Sequence, residues 1–306
     1  MERSIFNDNY PLAQLGLTII TALSVLVIIS LISILIAIPI FGINITTLTS
    51  PGLLTEPKNI GLLKYLQLFQ SIGLFIIPPF ILGKFFSGNS VHYLKLDTPL
   101  KSYRFALVIV IMITSIPVIN FLAALNSMIR FPEFMSDVQN YIDSASKSYQ
   151  TTTEAFMKVS TFKGLMANLF IIAVIPALGE EFLFRGVLQR IFTNWTRNIH
   201  WGILIPAFFF SACHLEFYGF FARWLLGIMF GYLLVWSGSI WIPVFAHFIN
   251  NSFAVIAYYL INKGILSEKI ADVGSTSEIL PYTIICIVIS GFGLYLMYLK
   301  RLERKI

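Results

Sequence analysis

Charge is scarce in this sequence. Lys, Arg, Asp and Glu make up 12% of its 306 residues, about half the share that soluble domains carry. Hydrophobic side chains make up 57%, and the mean hydropathy is +0.80. A soluble globular chain is excluded; this is the composition of a polytopic membrane protein. No stretch is polar enough to form a separate soluble domain. Cysteine is nearly absent. Cys213 and Cys286 both fall in apolar runs, which predicts two buried free thiols and says little about redox compartment. A cleavable leader is not expected either. Arg3 precedes a long apolar segment without a clear small-residue cleavage site, which reads as a retained first span. Internal repeats and low-complexity tracts are missing. The net charge of +6 fits basic cytoplasmic loops and anionic headgroups better than nucleic acid as a partner.

What the chain has is apolar runs of spanning length, at about 20 residues each. The fold expected is all-α, a transmembrane bundle of about eight spans: 12–41, 62–86, 105–125, 162–192, 201–214, 220–236, 240–261 and 279–299. Pro78 and Pro79 predict a kink in the second. Residues 126–161 are too polar to span and predict a surface helix. The organisation expected is N-terminal spans and a polar connection over 1–161, a catalytic core of four helices over 162–261, and a last span with a basic tail over 262–306. Loop charge alternates. The connection after the second span holds Lys84, Lys95, Lys101 and Arg104 against Asp97, and the tail holds Lys300, Arg301, Arg304 and Lys305 against Glu303, each net +3. The loops after spans one, three and seven are neutral or acidic. Positive-inside bias then puts both termini in the cytoplasm, as an even span count requires.

Three segments break the apolar pattern. An ionisable side chain at membrane depth is expensive and marks a functional site. Glu180, Glu181 and Arg185 end the apolar run 169–178, His214 closes the fifth run, and His247 and Asn251 lie one turn apart in the seventh. Glu181 and Arg185, four apart, share a helical face and predict an ion pair. Glu180 points elsewhere, free to face the bundle interior as a general base toward water. Imidazole and amide on one stripe supply two aimed donors, the equipment of an oxyanion hole. Glu180 and His214 are equidistant from residue 197, so a helical hairpin turning at 194–198 brings them to matching depth. The same counting places His247 about one to two helical turns away, an offset that tilt or an irregular 215–220 loop would absorb. Each element also has a plain structural reading. A lone histidine can serve as hydrogen-bonding glue between helices, and the Glu181–Arg185 pair can be structural.

The order Glu180-Glu181-x-x-x-Arg185, Phe210-x-x-x-His214, His247-x-x-x-Asn251 on successive membrane helices resembles the CPBP intramembrane protease family. That family includes prenyl-protein CAAX endoproteases and bacterial proteins linked to bacteriocin processing or self-immunity. The resemblance covers about 164–261. It implies an endopeptidase acting on a membrane-anchored peptide or protein, in which Glu180 and His214 activate water, His247 and Asn251 stabilise the oxyanion, and Glu181 and Arg185 hold the site in shape. The family is often labelled metalloprotease, which would make Glu180, His214 and His247 zinc ligands, with Asn251 a poor fourth. No His-Glu-x-x-His helix is present, and a metal-free, glutamate-based hydrolysis accounts for the same residues. Two other readings stay open. One is a transporter or proton relay, which would favour repeated or broken halves. The other is a non-catalytic immunity or scaffold protein. The residue usage points to a bacterial host and the cell membrane.

Overall fold

The structure, a computed structural model, describes residues 10–44, 46, 59–99, 101–267, 273–274 and 280–302. The expectations for Arg3, for most of the 44–58 and 262–278 loops, and for the tail beyond residue 302 lie outside these residues. The described chain is predominantly helical and contains no strand. Nine longer helices organise it, besides short helical turns at Ser90–Tyr93 and Glu133–Met135: α1 (Pro11–Phe41), α2 (Ile60–Ser87), α3 (Ser102–Ser127), α4 (Ser136–Met157), α5 (Phe162–Thr196), α6 (Ile199–Ala212), α7 (Phe220–Ser237), α8 (Trp241–Asn262) and α9 (Leu280–Leu302). Helix is the required solution in lipid, where every backbone N–H and C=O must be paired within its own segment.

Seven of the nine are long and apolar enough to cross a membrane. The chain is a multi-pass membrane protein. The expected count of eight is corrected at one place: α6 has 14 residues, short of the roughly 20 that a crossing needs. Its run ends at Ala212 because the chain turns into an irregular 213–219 connection. Leu215 there adopts φ 52°. Non-helical backbone in such a setting must find side-chain partners. Glu216 accepts from Tyr218 N at 2.9 Å and Gly219 N at 2.6 Å, and Asn126 Nδ2 donates to Phe217 O at 2.5 Å. The thiol expectation is corrected too: Cys213 is exposed and Cys286 half-buried, both free. Being apolar in sequence, these positions can face lipid as well as protein.

Prolines shape the two helices that matter most. Pro78 and Pro79 follow a π-helical stretch, Ile72–Ile76, and Pro176 follows another, Leu169–Val174. Proline has no N–H to give the carbonyl four residues earlier, so the backbone there widens its turn. A third π stretch, Glu181–Leu188, begins directly after Glu180.

Close packing then fixes α5 against its neighbours. Membrane helices gain little from apolar burial and depend on backbone approach through small residues. A Cβ at Gly179 would lie 2.7 Å from Phe75 Cβ, so only glycine lets α5 meet α2 there. On the other side, Val108, Ile111 and Met112 of α3, Phe230 and Leu233 of α7, and Ile242 and Ala246 of α8 form one buried apolar cluster. The polar helix α4, expected at the surface, is mostly exposed, and its end packs Met157 against Leu165 and Val255.

Candidate active site

Glu181 is the deepest of the site residues, with no exposed surface. The four-residue spacing to Arg185 delivers the expected pair: Arg185 Nη1 donates to Glu181 Oε1 at 2.9 Å. The guanidinium is also held from α7, where Arg185 Nη2 donates to Gly227 O at 3.2 Å. Its flat face lies 4.5 Å from the Phe210 ring centroid and 5.5 Å from that of Phe230. A fork of donors between two aromatic faces suits arginine and not lysine.

The same carboxylate oxygen holds His247. Its Nδ1 lies 2.9 Å from Glu181 Oε1, and because a carboxylate only accepts, Nδ1 carries the proton. The ring stacks on Phe230 at 5.2 Å between centroids and meets Phe210 edge-on at 5.9 Å. With Nδ1 committed, Nε2 is the nitrogen turned to Glu180, 3.9 Å from Oε2, too far for a hydrogen bond. His214 is oriented by the same logic. Its Nδ1 lies 2.8 Å from Phe210 O, a carbonyl left unpaired by the end of α6, so Nδ1 donates and Nε2 stays free. Asn251 Nδ2 donates to Ile172 O at 3.1 Å. Ile172 is the carbonyl that Pro176 cannot pair in the ordinary helical way, which is why an amide from α8 takes it. One amide hydrogen of Asn251 remains for other use.

Glu180, His214, His247 and Asn251 line one cavity of about 680 Å³. The predicted hairpin turn is present, with Arg197 left-handed between α5 and α6. The predicted offset of His247 is not. Its separation from Glu180 of 3.9 Å shows that straight α-helical counting failed. The wide turns flanking Glu180 and the irregular 213–219 connection, a loop of the kind expected to absorb such an offset, account for the difference.

Other elements also build the cavity. Gln67 and Gln70 of α2, Tyr149, Thr152 and Phe156 of α4, and Arg223 of α7 share its lining. Sequence reading passed over all of them. A signal existed for three: Arg223 is an ionisable residue inside an apolar run, the criterion that singled out Glu180, and Gln67 and Gln70 are polar breaks in another such run. For α4 there was none, since a polar helix is as consistent with a solvated surface. Asn168 joins three walls, accepting from Lys64 Nζ at 2.7 Å and donating to Phe156 O at 3.0 Å. Arg223 pairs with Glu216 at 2.9 Å, tying α7 to the connection that carries His214. His92 and His200 are exposed and lie beside Asp97 and the Tyr232 hydroxyl, His200 in the first turn of α6.

Zinc is poorly served by this arrangement. Among the described residues no three His, Cys, Asp or Glu side chains come together at metal-ligating spacing. Glu180, His214 and His247 do not fit such a site, and no step below runs through a metal.

Comparison with known proteins places a family on this region. Residues 162–253 match the Rce1-like family, described as type II CAAX prenyl endopeptidase Rce1-like. The resemblance read from the motifs is borne out over that stretch, which includes Glu180, Glu181, Arg185, His214, His247 and Asn251. A curated relative, the uncharacterized protein YpbD of Bacillus subtilis (strain 168), is 31% identical over 97 residues, 29% of this chain and 45% of that protein. The chain thus spans less than half the length of the curated relative it matches. No solved structure matches it.

Proposed function

We propose, from the Rce1-like match over 162–253 and the convergence of four polar side chains on one cavity, that this chain is an intramembrane CAAX-type endopeptidase. Its substrate is a membrane-anchored peptide or protein, and its setting is the cell membrane of a bacterium, with the basic connection after α2 on the cytoplasmic side. The convergence of Glu180, His214, His247 and Asn251 carries the reading.

In this proposal Glu180 is the general base. It takes a proton from water as the oxygen attacks the peptide carbonyl, and later gives that proton to the departing amine. His214 accepts a water hydrogen at Nε2 and so aims the attack. The products are a carboxylate and an amine, with one water consumed. The tetrahedral oxyanion receives the free amide hydrogen of Asn251 and an N–H from His247 Nε2. Since Nδ1 of His247 is committed to Glu181, Nε2 donates only from the imidazolium. Each donor of this kind contributes about 10²–10³ in kcat. Glu181 and Arg185 act as positioning residues.

The test compares new peptide termini in membranes from cells producing wild type or Glu180→Ala. Termini that disappear with Glu180→Ala support proteolysis and name substrates at once. Identical maps from equally abundant, folded proteins would sink the reading in favour of an immunity, scaffold or transport role.

A further inference from the structure

The bundle has two unlike ends, and contacts assign each connection to one of them. At the first end Arg104 Nη1 donates to Ser237 O at 2.7 Å, Trp241 Nε1 donates to Leu96 O at 3.0 Å, and the Arg190 guanidinium lies 4.4 Å from the Tyr93 ring centroid. The 88–101 connection, the α5–α6 turn and the α7–α8 turn therefore share this end. Lys84, Lys95, Lys101, Arg104, Arg190 and Arg197 crowd it, against Asp97. At the second end Asn126 Nδ2 donates to Phe217 O, the Tyr218 hydroxyl to Asp143, and Asn262 Nδ2 to Met157 O at 3.2 Å. Between residues 126 and 163 this end carries four bases and four acids. Lys and Arg packed into short connections mark the cytoplasmic side, so the second end is extracytoplasmic.

The cavity belongs to the second end. Followed from that end, its lining stops at Gln70 in α2, Glu180 in α5, Phe230 in α7 and His247 in α8, and none of it lies nearer the first end. Gln70, Tyr149 and Ala254 of the lining are exposed, whereas Phe230 and His247 are buried. The cavity thus deepens toward the first end and closes before reaching it. Two apolar clusters close it. Leu82, Phe86, Tyr93 and Leu94 pack on Leu183, Val187 and Ile191, and Phe182 packs on Leu234, Ile240 and Val244. A Cβ at Gly186 would lie 2.7 Å from Leu94 Cδ2, so α5 and the 88–101 connection leave no passage between them. An interior packed this closely admits neither bulk water nor a peptide.

We infer that the cavity takes its substrate from the extracytoplasmic side, and that the substrate class is an exported or membrane-anchored chain whose scissile segment lies in the outer half of the bilayer or just outside it. The inference rests on the endopeptidase reading above and narrows it: a segment confined to the cytoplasm has no route to Glu180. The bond to be cut has to pass α4, whose Tyr149, Thr152 and Thr153 line the cavity on its open side.

The test uses the full-length chain with Cys213→Ala and Cys286→Ala as background. Ser148→Cys then marks the second end and Ser102→Cys the first, both at exposed positions. A membrane-impermeant maleimide added to spheroplasts should label Ser148→Cys, and should reach Ser102→Cys only after the membrane is opened. New peptide termini, mapped in the same membranes against Glu180→Ala, should fall in extracytoplasmic segments of their proteins. The external maleimide should abolish those termini in Thr153→Cys, relative to the untreated sample, and leave them in Ser102→Cys. Labelling of Ser102→Cys from outside, with Ser148→Cys reached only after opening, would overturn the inference and leave the protease reading standing. So would Glu180-dependent termini confined to cytoplasmic segments. If no terminus depends on Glu180, the protease reading falls and takes the substrate claim with it, whichever side Ser148→Cys marks.

Discussion

His247 Nδ1 and Glu181 Oε1 are 2.9 Å apart, and Arg185 Nη1 reaches the same oxygen at 2.9 Å. One carboxylate oxygen therefore sets the tautomer of a cavity histidine and neutralises a buried guanidinium. Its neighbour Glu180 does neither. The adjacent glutamates should separate cleanly in mutants. Glu180→Gln should lower kcat by at least about 10²-fold and leave the melting temperature in detergent unchanged. Glu181→Gln should lower both, because it frees His247 and strands Arg185. Equal stability of the two variants would contradict the assignment.

Arg185 gives the second prediction. Breaking a buried ion pair by removing one partner costs about 3–5 kcal/mol. Arg185→Met should therefore show a large loss of folded protein in detergent melts. Arg185→Lys should rescue little, since lysine cannot serve Glu181, Gly227 O and two ring faces at once. Recovery of full stability by lysine would show that charge alone matters here.

Asn251 is tested through what it donates. Asn251→Asp keeps shape but gives no N–H, to Ile172 O or to an oxyanion. Its kcat should fall about 10²–10³-fold and KM should move little. Asn251→Gln offers the amide from a longer arm and should recover part of the rate. A variant Asn251→Asp with near-normal kcat would remove Asn251 from the mechanism.

The contact between α4 and the 213–219 connection has its own pH dependence. Asp143 of α4 accepts from the Tyr218 hydroxyl, and from Gln139 Nε2 at 3.1 Å. The Tyr218 bond first, then Gln139, with help from the Arg130 charge, holds Asp143 below the usual carboxylate range. A depressed folded value means that this contribution is fully present above the ordinary Asp pKa of about 3.9 and is lost as pH falls through the folded value. Hydrogen exchange across 136–157 should be slow and flat from neutral pH down to that range, after correction for intrinsic rates, and then rise. Asp143→Ala should show the faster exchange already at pH 7. Protection that does not respond to either change would mean that α4 is held by other contacts.

Much of this protein is local and therefore legible in its sequence. A crossing helix is a run of apolar residues of fixed length, so most spans start and end within a few residues of expectation. The cost of burying a charge is paid residue by residue, which singled out Glu180, Glu181, Arg185, His214, His247 and Asn251. The four-residue spacing of Glu181 and Arg185 survives even in a π-helical stretch, because those side chains still lie one turn apart. Tertiary structure decided the rest. That α6 stops short at Ala212, that His247 meets Glu181 on one side and Glu180 on the other, and that Gln67 and α4 close the cavity all depend on how separate helices pack. Wide turns near Pro176, an irregular connection held by Glu216 and the bare face of Gly179 set those positions. Each is a displacement between elements, which no periodicity within a single element encodes.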